Sequence, residues 1–281
     1  MNSKIFSYEK KDDFSSKVLK RGKFFDIVIV KFQSALPTGI PVCDRVWGLY
    51  YRAKNSKRCV IALHGLSMVF TTKYFCRKLA KKGISSFILI MPYAPARIPK
   101  KNPFKKVPEN FDWVGIFKRG LIQCVIDVRK TIDFLEKENG VIGILGISMG
   151  ANVASIVQSI DERIRSGVYI VGGGNLASML WESRDFIARM YKKLLKKYVT
   201  KKQLIEIWRD IDPLTYAKKG LNVLMINSKY DTSVRPVYTM QLWNALGRPR
   251  IIWIKSHHFF LFHAFLIKNL ILSYFRKTLQ D

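Results

Sequence analysis

Residues 59–63 (Cys-Val-Ile-Ala-Leu) and 141–145 (Val-Ile-Gly-Ile-Leu) are short, unbroken apolar runs. Such runs suit strands covered on both faces. Further runs at 84–91, 167–171, 222–227 and 250–254 predict the same kind of strand. Helical spacing separates them. In 115–137, Ile116, Phe117, Leu121, Val125, Val128, Ile132 and Leu135 return to one side of a 3.6-residue helix. Helices are also predicted at 75–82, ended by Gly83 as a C-cap, at 151–157, at 237–246 and at 259–279. Strands at 24–30 and 46–51 come first, with the turn residues Pro37-Thr38-Gly39 between them, and can pair antiparallel. The later strand–helix alternation predicts a mainly parallel, doubly wound α/β sheet with helices on both faces.

Two segments stand outside the alternation. Residues 1–23 are polar and charged and read as an N-terminal arm on a domain spanning 24–281. Residues from about 175 to 217 hold helical pattern and no strand. Within them Ile187, Met190, Tyr191, Leu194, Leu195 and Tyr198 form one predicted apolar face, and Arg189, Lys192, Lys193, Lys196 and Lys197 the rest. An insertion there is expected to cap the site, with an ordinary surface helix or a basic helix lying on an anionic membrane as the other readings.

With 281 residues, 48% of them hydrophobic, the chain can bury a large core. The four cysteines, Cys43, Cys59, Cys76 and Cys124, lack paired metal-ligand spacing and read as buried reduced thiols. The first residues carry no apolar leader, and no run of 18 uncharged apolar residues occurs, so a soluble, cytoplasmic protein is expected. The net charge is +29. That charge suits nucleic acid, an anionic surface or acidic substrates. The lysines run along the whole chain with no nucleic-acid motif, which leaves weak association with anionic surfaces and no specific nucleic acid. Arg97, Lys100, Lys101, Lys105 and Lys106 crowd one loop that could steer an anionic substrate.

The candidate chemistry is Gly146-Ile147-Ser148-Met149-Gly150, placed where a predicted strand hands over to a helix. At ordinary Gly and Ser usage, chance gives about 0.1 such pentapeptides in a chain of this size, so its context carries the weight. A serine on that sharp turn holds its hydroxyl clear of the sheet, and bare glycines beside it avoid collision with neighbouring backbone. Serine is a poor nucleophile until a base takes its proton and a third group orients the base. Asp231 follows the strand at 222–227, and His257 and His258 follow the strand at 250–254, all at strand C-terminal ends. His257 is the first choice of base because it comes first after the strand, and His258 is the alternative. His263 reads as a packed residue of the closing helix. The oxyanion needs backbone donors, expected from Met149 and from Leu66 in the loop His64-Gly65-Leu66-Ser67. His64 and Gly65 would shape that loop.

His64-Gly65, the Gly146–Gly150 elbow, Asp231 and His257 resemble the α/β-hydrolase superfamily, most nearly its esterase and dienelactone-hydrolase-like branches. Asp212-Pro213-Leu214-Thr215-Tyr216 is similar to the family's approach to its acid residue. The stretch Ala245 to Arg250 also resembles the family. Ser256 stands where relatives commonly carry a glycine before the histidine, which keeps His258 open. The resemblance implies an eight-stranded core sheet, no metal and no organic cofactor. It also implies a serine hydrolase of a small-molecule carboxylic ester or thioester. The alternatives are a peptidase or amidase using the same triad, and a non-catalytic binding protein for anionic partners.

Overall fold

The buried runs become the middle of one nine-stranded sheet in the order β1-β2-β3-β5-β4-β6-β7-β8-β9. The computed structural model describes residues 3–65, 68–92, 94–97, 112–258 and 264–280. The strands are β1 (Ser15–Lys20), β2 (Phe25–Gln33), β3 (Arg45–Ala53), β4 (Arg58–Leu63), β5 (Ser85–Leu89), β6 (Val141–Ile147), β7 (Ile164–Ile170), β8 (Val223–Ser228) and β9 (Arg250–Ile254). β1, β2, β3 and β5 pair antiparallel in turn, and β5, β4, β6, β7, β8 and β9 pair parallel. The helices are α1 (Pro41–Asp44), α2 (Val69–Ala80), α3 (Trp113–Leu135), α4 (Met149–Ile160), α5 (Leu176–Glu182), α6 (Phe186–Leu195), α7 (Lys201–Ile207), α8 (Pro213–Tyr216), α9 (Pro236–Ala245) and α10 (Ala264–Thr278). The sheet separates two apolar layers. One is filled by α3, α4, α8 and α9, the other by α2 and α10.

The sheet has one strand more than the expected eight, and the residues read as an arm supply it. β1 pairs with β2 from Ser15–Lys31 to Lys20–Ile27. Lone aromatic residues pin this segment down. Phe6 is fully buried and meets Tyr216 edge-on at 5.2 Å, and Phe14 lies 5.2 Å from Phe32 and 5.3 Å from Phe134. Asp12 and Asp13 pair with Lys137 and Lys130 of the segment running through α3. β1 is an edge strand exposed on nearly every residue, so it has no apolar alternation to betray it.

Two further expectations change. Arg97 is fully buried and cannot steer a ligand: it donates to Asp127 at 3.2 Å, to the Ile90 carbonyl at 2.7 Å and to the Cys43 carbonyl. Lys100, Lys101, Lys105 and Lys106 lie outside the described residues, as does His263. On α6 the buried side is Ala188 and Leu195, with Tyr191 and Leu194 half-buried, whereas Met190 and Tyr198 face solvent. The helix stops at Leu195, so the predicted six-residue face does not hold together. All four cysteines are buried thiols. Among the described residues, no helix is long and apolar enough to cross a membrane.

Truncating Phe6 tests the arm. Phe6→Ala removes a buried ring and is expected to cost about 3–5 kcal/mol of folding free energy in urea titration; a change near zero would show that the arm does not belong to the core.

Candidate active site

β6 ends at Ile147 and α4 begins at Met149, so one residue makes the whole connection. That residue is Ser148, held at φ 54° and ψ −119°. An L-residue seldom adopts positive φ, and the strain is of order 1–3 kcal/mol. The glycines on either side make the turn possible. A Cβ on Gly146 would stand 2.2 Å from the Gly150 carbonyl oxygen, and one on Gly150 would stand 2.4 Å from the Leu63 oxygen of β4. The Ser148 N–H donates to the Ile170 carbonyl of β7 at 2.8 Å and locks the turn to the sheet.

Three side chains from three strand ends meet there. The Ser148 hydroxyl lies 3.1 Å from His258 Nε2. His258 Nδ1 lies 2.7 Å from Asp231 Oδ2. A carboxylate only accepts, so Nδ1 carries the proton and Nε2 keeps its lone pair toward the serine. Asp231 is held by two backbone donors, Ser233 N at 2.8 Å and Val234 N at 2.7 Å, both on Oδ1. Asp231 and His258 are both buried, which strengthens their attraction.

His258, the alternative, is the histidine that meets Ser148, and His257, the first choice of base, does not. The His257 ring is exposed, and its Nδ1 donates to the Tyr230 carbonyl at 2.9 Å. The physical reason is the turn after β9. Tyr230 N–H donates to the Ser256 carbonyl at 3.1 Å, and Ser228 Oγ contacts both Ser256 Oγ and the His257 carbonyl. This pins 256–257 against the exit of β8 and hands the inward direction to the next residue.

Met149 is the first residue of α4, whose opening N–H groups have no intrahelical acceptor. Among the described residues the Met149 N–H has no partner, as an oxyanion donor requires. Leu66 and Ser67 lie outside the described residues. The loop that carries them starts beside the serine, because a Cβ on Gly65 would stand 3.3 Å from Ser148 Cβ. Both His64 nitrogens serve that loop. Nε2 accepts from Met91 N–H at 3.0 Å, and Nδ1 donates to the Gly65 carbonyl at 2.8 Å. Burial lowers the His64 pKa, so the ring stays neutral as this pairing needs.

A cavity of about 240 Å³ opens onto Ser148 and His258. Its walls come from α3, α5 and α6, with Phe117, Leu121, Met179, Leu180, Ala188 and Tyr191 among them. The sequence pattern marks Phe117 and Leu121 as core helix positions, since a cavity wall and a packed core leave the same apolar periodicity.

No protein-family model matches this sequence, and neither does any curated protein. Solved structures do match. An acetyl xylan esterase from Paenibacillus sp. R4 superposes with a TM-score of 0.72 at 15% identity, covering 93% of this chain and 88% of that one. A cold-adapted esterase from an Arctic intertidal metagenomic library has a TM-score of 0.61 at 16% identity, covering 98% and 100%. The acylaminoacyl peptidase of Pyrococcus horikoshii has a TM-score of 0.67 at 17% identity, covering 92% of this chain and 42% of that one. This is the α/β-hydrolase fold. Within the α/β-hydrolase fold, Ser148 stands after β6, Asp231 after β8 and His258 after β9.

Replacing Ser148 by glycine tests the strain at the elbow. Release of about 1–3 kcal/mol exceeds the 0.5–1 kcal/mol that glycine adds in chain entropy. Ser148→Gly is therefore expected to raise stability by about 1 kcal/mol in urea titration, and a loss of stability would contradict a strained turn.

Proposed function

We propose that this chain is a serine hydrolase acting on a carboxylic ester or thioester. The observation that carries the reading is the continuous line from the Ser148 hydroxyl through His258 to Asp231, at 3.1 and 2.7 Å. In this reading Ser148 Oγ attacks the acyl carbon while His258 Nε2 takes its proton. Asp231 holds the ring in the productive tautomer and stabilises the imidazolium. The developing oxyanion is met by the Met149 N–H and by the Leu66 N–H, each worth about 3 kcal/mol in the transition state. His258 then returns the proton to the leaving alcohol or thiol, and water, deprotonated by the same ring, releases the acid from Ser148.

An amide substrate is the second reading, favoured by the likeness to the acylaminoacyl peptidase. It uses the same residues with an amine as leaving group. A panel pairing each nitrophenyl ester with its thioester and anilide decides between them.

A fluorophosphonate is expected to label Ser148 in the folded protein and to leave Ser148→Ala unlabelled. His258→Ala is expected to lower kcat for a nitrophenyl ester by about 10⁴-fold. His257→Ala should leave kcat within a few-fold. A folded wild-type protein that resists the label, or equal losses at the two histidines, contradicts the proposal.

A further inference from the structure

Resting on the hydrolase reading, the geometry points to an acyl group that is a flexible apolar chain rather than acetyl or a sugar-borne substituent. The cavity beside Ser148 is walled by Phe117 and Leu121 of α3, Met179 and Leu180 of α5, and Ala188 and Tyr191 of α6. Two of its polar members, Ser183 and Asp185, are already engaged inside the protein. Ser183 Oγ donates to Asp185 Oδ2 at 2.9 Å, and Asp185 Oδ1 accepts the Ala188 N–H at 2.7 Å. Asn152 Oδ1 accepts the Gly173 N–H at 3.0 Å, which leaves its buried Nδ2 as an unpartnered donor among the described residues. Most of the wall is apolar, so a hydroxyl-rich sugar entering here would lose more water contacts than the few polar groups return. An alkyl chain would gain with each methylene removed from water, about fourfold in affinity, equivalent to about 0.8 kcal/mol. At about 240 Å³ the space is below the usual size of drug-sized pockets, about 300–1,000 Å³, which suits one slim chain.

Two series test this separately from the catalytic reading. Across straight-chain nitrophenyl esters, kcat/KM is expected to rise about fourfold per methylene above acetate until the cavity is full. Alkyl methyl ketones, which cannot be hydrolysed, should bind the Ser148→Ala protein with the same increment by calorimetry. Ala188→Trp, which fills the cavity from α6, should abolish both increments in a protein whose circular dichroism matches wild type. Turnover with no chain-length gain overturns the apolar-chain inference alone. Chain-length gain in ketone binding without turnover or labelling supports the cavity assignment and overturns the hydrolase reading.

A different observation carries a second inference. We infer that the outward face of α6 docks on an anionic lipid surface. Phe186, Arg189, Met190 and Lys193 fall within about 100° of one another on that helix. Phe186 and Met190 are 74% and 55% exposed. Lys196 and Lys197 follow in the next turn, and α6 itself contains no acid. Among the described residues, Arg189, Lys193 and Lys197 have no carboxylate within salt-bridge distance. Apolar and cationic groups on one exposed stripe match a bilayer of anionic headgroups, which accepts both. The other side of α6 lines the cavity, so docking sets the site beside the lipid.

Flotation with phosphatidylcholine–phosphatidylserine vesicles against phosphatidylcholine alone tests it, each apposed cation contributing about fivefold in partitioning. The protein should float only with the anionic vesicles. Lys193→Glu with Lys197→Glu should weaken partitioning by about 25-fold or more, and Phe186→Ser with Met190→Ser should weaken it without a charge change. Lys81→Glu with Lys82→Glu makes the same charge change at the end of α2, beyond the opposite face of the sheet, and should leave binding near wild type. Equal losses at the two lysine pairs would show diffuse attraction to a +29 surface and overturn the docking face. So would flotation with neutral lipid, or no flotation at all.

Discussion

Gly150 lies so close to the end of β4 that a methyl group there would meet the Leu63 oxygen at 2.4 Å. The site depends on that contact. It lets the first turn of α4 sit over the sheet edge, which leaves one residue to turn from strand to helix. That residue is forced to a positive φ, and its hydroxyl then stands at the C-terminal rim of the parallel strands. The same approach brings Gly65 beside Ser148 Cβ. Backbone contact, rather than any side-chain bond, sets the distances to which the other groups conform.

The imidazole is placed by a second set of backbone bonds. β8 and β9 are zipped past their ends, with Lys229 N–H on the Ile254 carbonyl at 2.8 Å and Tyr230 N–H on the Ser256 carbonyl at 3.1 Å. The zipper decides which of two adjacent histidines turns inward. Asp231 sits just beyond it on the β8 side, with its carboxylate fixed by Ser233 and Val234 amides. Asp231 and His258 are thus presented by two loops anchored to each other, so their 2.7 Å separation does not depend on a long flexible side chain.

The charge of this chain is distributed unevenly in its pairings. Asp12, Asp13, Asp133 and Asp161 pair with Lys137, Lys130, Arg163 and Arg129 on one side of the molecule, where the N-terminal segment crosses α3. Arg97 is spent inside, holding the chain beyond β5 to Asp127. With only 20 acidic residues for 49 basic ones, such concentration leaves other surfaces uncompensated, and the outward side of α6 is one of them. The balance read from composition therefore becomes local only once the pairing is known.

The parallel strands, the long α3 and the elbow serine were legible from spacing alone. Burial on both faces writes an unbroken apolar run, and a turn without room writes glycine at fixed offsets. β1 was not legible, since its stability comes from a partner strand and from Phe6 and Phe14 packing on residues far along the chain. Nor was the choice of His258 over His257, because neighbouring side chains differ only in the side to which distant hydrogen bonds turn them. Arg97 looked like any surface cation until the fold supplied Asp127. Periodicity and turn chemistry act between neighbours, and the chain records them directly; register, ion pairing and the walls of a cavity arise between residues that only folding brings together.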